Sequence, residues 1–246
     1  MKKALSPFCL LAALSVGCGG SDDHGHLPFP EGAAHEDTLF VTVPGGVFIN
    51  SSGEEVQVGT FEIMVHEVSN RFCAAAAAAG VELPPDPCFP GVGNYMEDLP
   101  GYPVVNLSPC EASRVAGSLG LRLPTRNEWE YAASRGLSGD IARLFPWGAL
   151  SPDETPGFPA NYLAMDEWNS RDADGFAYTA PIGSYPLSSA GVADLGGNVA
   201  EFTLTDSSWV LKGGGWAQPG DAMLLGWAMD FADGDRCWYA GCRFVR

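Results

Sequence analysis

The stretch "RLPTRNEWEYAASRG", Arg122–Gly136, decides how the rest of the chain reads. Thr125 and Glu128 have the T-x-x-E spacing of a capping box, in which each side chain takes a free amide of the other's segment. Trp129, Ala132 and Ala133 then share one face at helical spacing, and Gly136 closes the helix. An aromatic on the apolar face of such a helix is core packing. Just upstream, "SPCEASRVAGSLGL" reads as another helix. Further upstream, "TFEIMVHEVSNRFCAAAAAAG" reads as a strand and then a helix. Ser69 is placed to cap that helix, the alanine run favours it, and Gly80 ends it. "TLFVTVPGGVFIN" alternates around Pro44-Gly45-Gly46 and predicts strand, turn, strand. The proline-rich stretch between Val81 and Pro103 lacks periodicity and reads as loop. From Leu144 onward the sequence holds short strands and turns, with no tandem repeat and no second domain boundary.

Composition agrees with a loop-rich α+β chain of one large domain: 246 residues, 31 glycines, 19 prolines and only 17% charged residues. Acidic residues outnumber basic ones by 30 to 13. That balance argues against nucleic acid as a partner, because phosphate binding needs a basic face. It suits cation binding and ordinary solubility equally.

The N-terminus reads as an export signal. A basic Met1-Lys2-Lys3 precedes an apolar run, Ala4–Val16, too short to span a bilayer. "LSVGCGG" is similar to a bacterial lipobox, with Ser15 where leucine is usual. Residues 1–17 are therefore expected to be a signal peptide, Cys18 a lipidated cysteine, and 18–38 an acidic tether to a domain over 39–246. This implies a lipid-anchored protein of the bacterial cell envelope; plain cleavage nearby is the alternative. His24, His26 and His35 lie in the tether, where nothing fixes a metal geometry. In an oxidising compartment Cys73, Cys88, Cys110, Cys237 and Cys242 are disulfide candidates. Cys73–Cys88 is the favoured pairing, with Cys110 to Cys237 or Cys242 next.

Several segments, in order, carry a family pattern: "GGVFIN", "HEVSN", "YPVVNLS", "RLPTRNEWEYAASRG", "FPWG", "PANY", "ADGF", "PIGSYP", "GVADLGGNVAEFT", "LKGGGW" and "GCRFVR". Over residues 39–246 the chain resembles the formylglycine-generating enzymes, the sulfatase-modifying factor domains. The resemblance implies a variant of the C-type lectin fold: irregular, with a small antiparallel sheet, two packed helices and long loops.

The resemblance also implies two structural calcium sites. The first would use Asn161, the Tyr162 carbonyl, Asp174 and the Phe176 carbonyl. The second would use Asp194, the Gly197 and Val199 carbonyls, and Glu201. Calcium takes six to eight oxygen ligands, so water would complete each set. An Asx-turn and a helix cap without an ion are the alternative. Catalytic relatives hold copper(I) between two cysteines after the glycine-rich turn and convert a substrate cysteine to formylglycine. Here those positions are Gln218 and Met223. A carboxamide is not a thiolate, and a thioether is neutral and cannot replace a redox pair. Copper, and with it the known reaction, is expected to be absent. Cys237 and Cys242 have the same C-x4-C spacing, so a displaced pair is weighed as well. No histidine follows His66, which removes the usual general base.

Three functions follow. The first is a non-catalytic, calcium-stabilised, surface-anchored domain that binds a protein, peptide or glycan, with Trp216, Trp227 and Trp238 as a groove; each could equally fill core. The second is an oxidoreductase of the formylglycine-generating kind with a non-standard site. The third is a scaffold in an envelope complex.

Overall fold

Residues 35–83, 95–164 and 173–246 are described in a computed structural model of the chain. The expected signal peptide (1–17), Cys18, most of the expected tether (18–38) and Cys88 lie outside these residues. In chain order come β1 (Phe40–Val43), β2 (Gly46–Ile49), β3 (Glu55–Val58), β4 (Phe61–Met64), α1 (Asn70–Ala78), α2 (Tyr95–Asp98), α3 (Pro109–Ser118) and α4 (Arg126–Ser134). After a long irregular stretch come β5 (Ala200–Leu204), β6 (Trp209–Lys212), β7 (Met229–Phe231) and β8 (Ala240–Gly241). β1 pairs with β4 and β2 with β3, both antiparallel. The largest sheet runs β7-β6-β5-β8, with β8 parallel to β5. This is the mixed, loop-rich α+β architecture that the sequence implies.

The helices start where the side chains dictate. The Ser69 hydroxyl accepts the Phe72 amide at 3.0 Å. Thr125 and Glu128 form the expected capping box, with Thr125 N donating to Glu128 Oε2 at 2.9 Å. Ser108 and Glu111 form a second box at the start of α3, a feature the sequence reading passed over.

Pro44-Gly45-Gly46 is not a hairpin turn. The strands on either side of it pair elsewhere, so it is a crossing between two small sheets. A Cβ on Gly45 would come within 2.7 Å of the Val58 carbonyl, so only glycine passes there. The Pro44 carbonyl accepts from Tyr131 Oη and Arg135 Nη1, both at 3.1 Å, which fastens the crossing to α4.

Two large core clusters hold the elements together. One joins α1 and α3 through Phe72, Ala76, Val115 and Ala116 to Phe202 and Phe244. The other joins β1 and β4 to Trp129, Ala132 and Ala133 of α4. The expected cysteine pairings need correction. Cys73, Cys237 and Cys242 are free thiols, and Cys73 and Cys242 are fully buried in the first cluster. Cys73 turns to the core face of α1, so it does not cross-link to Cys88. Cys110 is disulfide-bonded, but not to Cys237 or Cys242, which are both free.

The Arg236 guanidinium, foremost, holds the Glu111 carboxyl at about 2, well below its ordinary 4.5, and ties the start of α3 to the C-terminal segment. A depressed folded-state value means that the stabilisation is present above pH 4.5 and is lost as pH falls towards 2. Arg236→Ala is therefore expected to weaken the acid limb of the stability profile, measured by urea unfolding between pH 6 and 2.5, while leaving its slope near neutrality unchanged.

Candidate functional site

The segment Asp194–Glu201 organises the site. Asp194, Gly197 and Asn198 all have positive φ, at 54°, 79° and 61°. A Cβ at Gly197 would lie 2.4 Å from the Asn161 carbonyl, so the chain approaches there as glycine. Asn198 tolerates the left-handed backbone and puts its amide to use. Its Oδ1 accepts from Ala180 N at 2.7 Å, and its Nδ2 donates to Glu67 Oε2 at 2.7 Å. Its own N–H reaches the Asn161 carbonyl at 2.7 Å, and its carbonyl receives the Trp216 amide at 2.9 Å. "HEVSN", "PANY", "PIGS", "GGNVAE" and "GGGW" thus meet around one asparagine.

Two buried ion pairs lie beside it. Arg243, fully buried, donates to Glu201 Oε1 at 2.7 Å and to the Met64, Val65 and Ala193 carbonyls at 3.0, 2.7 and 2.8 Å. Lys212, also fully buried, reaches Glu130 Oε1 at 3.0 Å. Trp129 joins the two pairs: its Nε1 donates to Glu201 Oε2 at 2.9 Å, and Lys212 Nζ lies 5.6 Å from its ring centroid. Burial, foremost, pulls the Lys212 ammonium down to about 8, against the pull of Glu130. Burial likewise pushes the Glu67 carboxyl well up, with Asp194 and Glu201 adding to it and Arg243 opposing. Asp194 is pushed up to about 6 by burial, although Gly183 N and Tyr185 N donate to its carboxylate.

Sequence reasoning missed Glu67, Glu130, Asn198, Lys212 and Arg243. A lysine ending the apolar strand "WVLK" was the one local signal; for the others, burial is decided by partners distant in the chain.

The two implied calcium sets differ. In the first, Asn161 is fully buried and its Oδ1 has no hydrogen-bond partner. Asp174 Oδ2 accepts from Tyr162 N at 2.8 Å and its Oδ1 from Phe176 N at 3.2 Å, so the four implied residues converge. An orphaned buried oxygen beside a carboxylate fits a hard cation. In the second, both Glu201 oxygens are already taken by Arg243 and Trp129. A guanidinium at 2.7 Å supplies the positive charge there, and the donor set does not fit a further cation. Among the described residues no group of three or more His, Cys, Asp or Glu side chains is placed to hold a metal.

Residues 28–246 match the family described as the sulfatase-modifying factor enzyme 1-like domain. The chain belongs to this family. It is 32% identical to inactive C-alpha-formylglycine-generating enzyme 2 of Bos taurus over 139 residues, 53% of this chain and 44% of that protein. It is 36% identical to the formylglycine-generating enzyme of Mycobacterium tuberculosis over 122 residues, 47% of this chain and 38% of that protein. The chain spans less than half the length of these relatives. The solved structure of PvdO from Pseudomonas aeruginosa shares the fold, with a TM-score of 0.66 and 22% identity, covering 84% of this chain and 93% of that one.

In this sulfatase-modifying factor domain, Gln218 and Met223 have structural duties. Gln218 Oε1 accepts the Gly215 amide at 2.9 Å and so closes the glycine turn. Met223 is fully buried among Phe145, Ala160, Tyr162 and Ala164. Cys237 and Cys242 differ in exposure, Cys237 being half-buried. Cys242 is sealed in the core and its thiol is pushed well above the ordinary value by burial; Cys237 is pushed up to about 11. The tryptophans divide: Trp216 Nε1 donates to the Trp238 carbonyl at 3.0 Å, whereas Trp227 packs on the α1–α3 cluster. Trp216 and Trp238 are brought together; Trp227 is not with them.

Removing the guanidinium from this network leaves Glu201 buried without a counter-charge. Arg243→Met is expected to cost about 3–5 kcal/mol in urea unfolding, whereas Arg114→Met, on the exposed face of α3, leaves the midpoint unchanged.

Proposed function

We propose that this chain is a non-catalytic member of the sulfatase-modifying factor family: an exported, lipid-anchored envelope domain that binds a protein, peptide or glycan and is stabilised by calcium at the Asn161–Asp174 set. The observation that carries the reading is the fate of the two copper positions. One is a glutamine committed to a backbone amide and the other a methionine sealed in the core. Copper(I) chemistry needs two accessible soft sulfurs, of which thiolates are the redox-competent kind. Cys73 and Cys242 are fully buried, and burial raises both of these thiols and that of the half-buried Cys237, which speaks against a thiolate pair. A residue set that keeps the turn and drops the sulfurs suits binding or scaffolding.

The exposed Trp238, whose carbonyl accepts from Trp216 Nε1, and Tyr178, edge-on to Trp216 at 5.2 Å, support a ligand-facing aromatic surface. Calcium would draw on Asn161, Asp174 and the Tyr162 and Phe176 carbonyls. Bound there, it would pin the loop that carries them and do no chemistry. No ion is assigned to the second set.

The catalytic alternative is tested by incubating reduced protein with copper(I), oxygen and a cysteine-containing sulfatase-type peptide. The expected outcome is no aldehyde by mass spectrometry; stoichiometric formylglycine would overturn the reading. For calcium, a hundredfold excess over Kd stabilises by about 2.7 kcal/mol, or about 5–10 °C for a domain of this size. That rise in Tm over an EDTA-treated sample is expected for the native sequence and absent in Asp174→Ala. Equal Tm with and without calcium would remove the ion from the account.

A further inference from the structure

A cavity of about 320 Å³ lies on the opposite side of α4 from the buried charge network, walled by Phe48, Ile49, Tyr131, Leu137, Ile141 and Arg135. Five of these walls are apolar or aromatic. Phe48 and Tyr131 pack against each other with ring centroids 5.1 Å apart, and Ile49 is half exposed at the rim. The size is at the lower end of small-ligand sites, and an apolar wall with a few placed polar groups is their usual make-up. Ser134 also lines the cavity, but its hydroxyl donates to the Tyr131 carbonyl at 3.4 Å, which leaves one polar group with free donors.

Arg135 is that polar group. Its guanidinium stacks 5.3 Å from the Tyr131 ring centroid. Its Nη1 is fixed by Tyr131 Oη at 2.8 Å and by the Pro44 carbonyl at 3.1 Å. Nε and Nη2, which form the side-on fork, have no hydrogen-bond or ion-pair partner among the described residues. Acidic residues outnumber basic ones by 30 to 13 in this chain, and the other described basic side chains except Arg114 sit within 4.0 Å of a carboxylate. Arg114 is on an exposed helix face. Arg135 alone of the described residues combines a missing counter-ion with a place in a cavity wall.

We propose that this cavity binds an amphipathic carboxylate: a branched or aromatic hydrocarbon body against Phe48, Ile49, Leu137 and Ile141, and a carboxylate on the Nε–Nη2 fork of Arg135. A planar two-oxygen anion matches the fork bidentately. A phosphate would call for more donors than one arginine edge, and a sugar would leave the cation uncompensated. The carboxylate is either that of a free small acid or the C-terminus of a peptide ending in a large apolar residue. This inference does not depend on the absence of copper chemistry.

Calorimetric titration with 3-phenylpropionate, with Gly-Gly-Phe, and with the primary amide of each tests it. At least one of the two acids is expected to bind saturably and at least tenfold more tightly than its amide; which acid does so identifies the source. Arg135→Gln is expected to bring acid and amide within twofold of each other, and Arg135→Lys to keep part of the preference. Ile141→Trp, which fills the cavity, is expected to abolish binding with the circular dichroism spectrum unchanged. No saturation by either acid up to millimolar concentration, equal binding of acid and amide, or an acid preference that survives Arg135→Gln would each overturn the proposal.

Discussion

The indole of Trp129 is wedged between two buried ion pairs, and the rest of the structure is arranged around that contact. Its N–H goes to Glu201 and its ring faces Lys212. Glu201 and Lys212 are cross-strand partners on β5 and β6, so the two pairs are locked in register by the sheet itself. Arg243 brings in the C-terminal segment, and through three carbonyls it also holds the end of β4 and the Ala193 turn. Such pairs gain little net energy over apolar residues of the same shape, but removing one partner is costly. A protein with little regular structure thereby gets fixed points that its short strands cannot provide.

That arrangement explains what was legible in the sequence. Capping at Ser69 and Thr125, the core face of α4 and the ordered family segments are local signals, and each appears where the residues placed it. Other features are set by tertiary partners. Pro44-Gly45-Gly46 carries a hairpin's composition, yet Tyr131 and Arg135 draw its carbonyl to α4 and the flanking strands pair elsewhere. Cysteine spacing offers no information on which face of α1 Cys73 takes, and the core claims it. Glu67 and Asn198 look like surface residues in a one-dimensional reading; their burial follows only from the convergence of five loops. The second implied calcium set carries the right oxygen atoms in sequence, but Arg243, 42 residues away, takes the Glu201 carboxylate among them.

Within one irregular region the protein treats two acidic sets differently. Around Glu201 the counter-charge is a covalently tethered guanidinium. Around Asn161, an amide oxygen is buried without a hydrogen-bond partner among the described residues. Desolvated oxygen of this kind is costly unless something coordinates it. A built-in guanidinium at Glu201 and an orphaned amide oxygen at Asn161 are two different answers to burying polar groups in one irregular region.

The proposed reading is that the glycine-rich turn is kept for its structure, with Gln218 and Met223 in place of soft-metal ligands. Copper(I) titration of the fully reduced, purified protein against a bicinchoninate competitor tests it most directly. The account predicts no transfer of copper from the competitor beyond that seen with a Cys237→Ser variant. One equivalent bound tightly by the native sequence, and lost on Gln218→Ala or Met223→Leu, would contradict it.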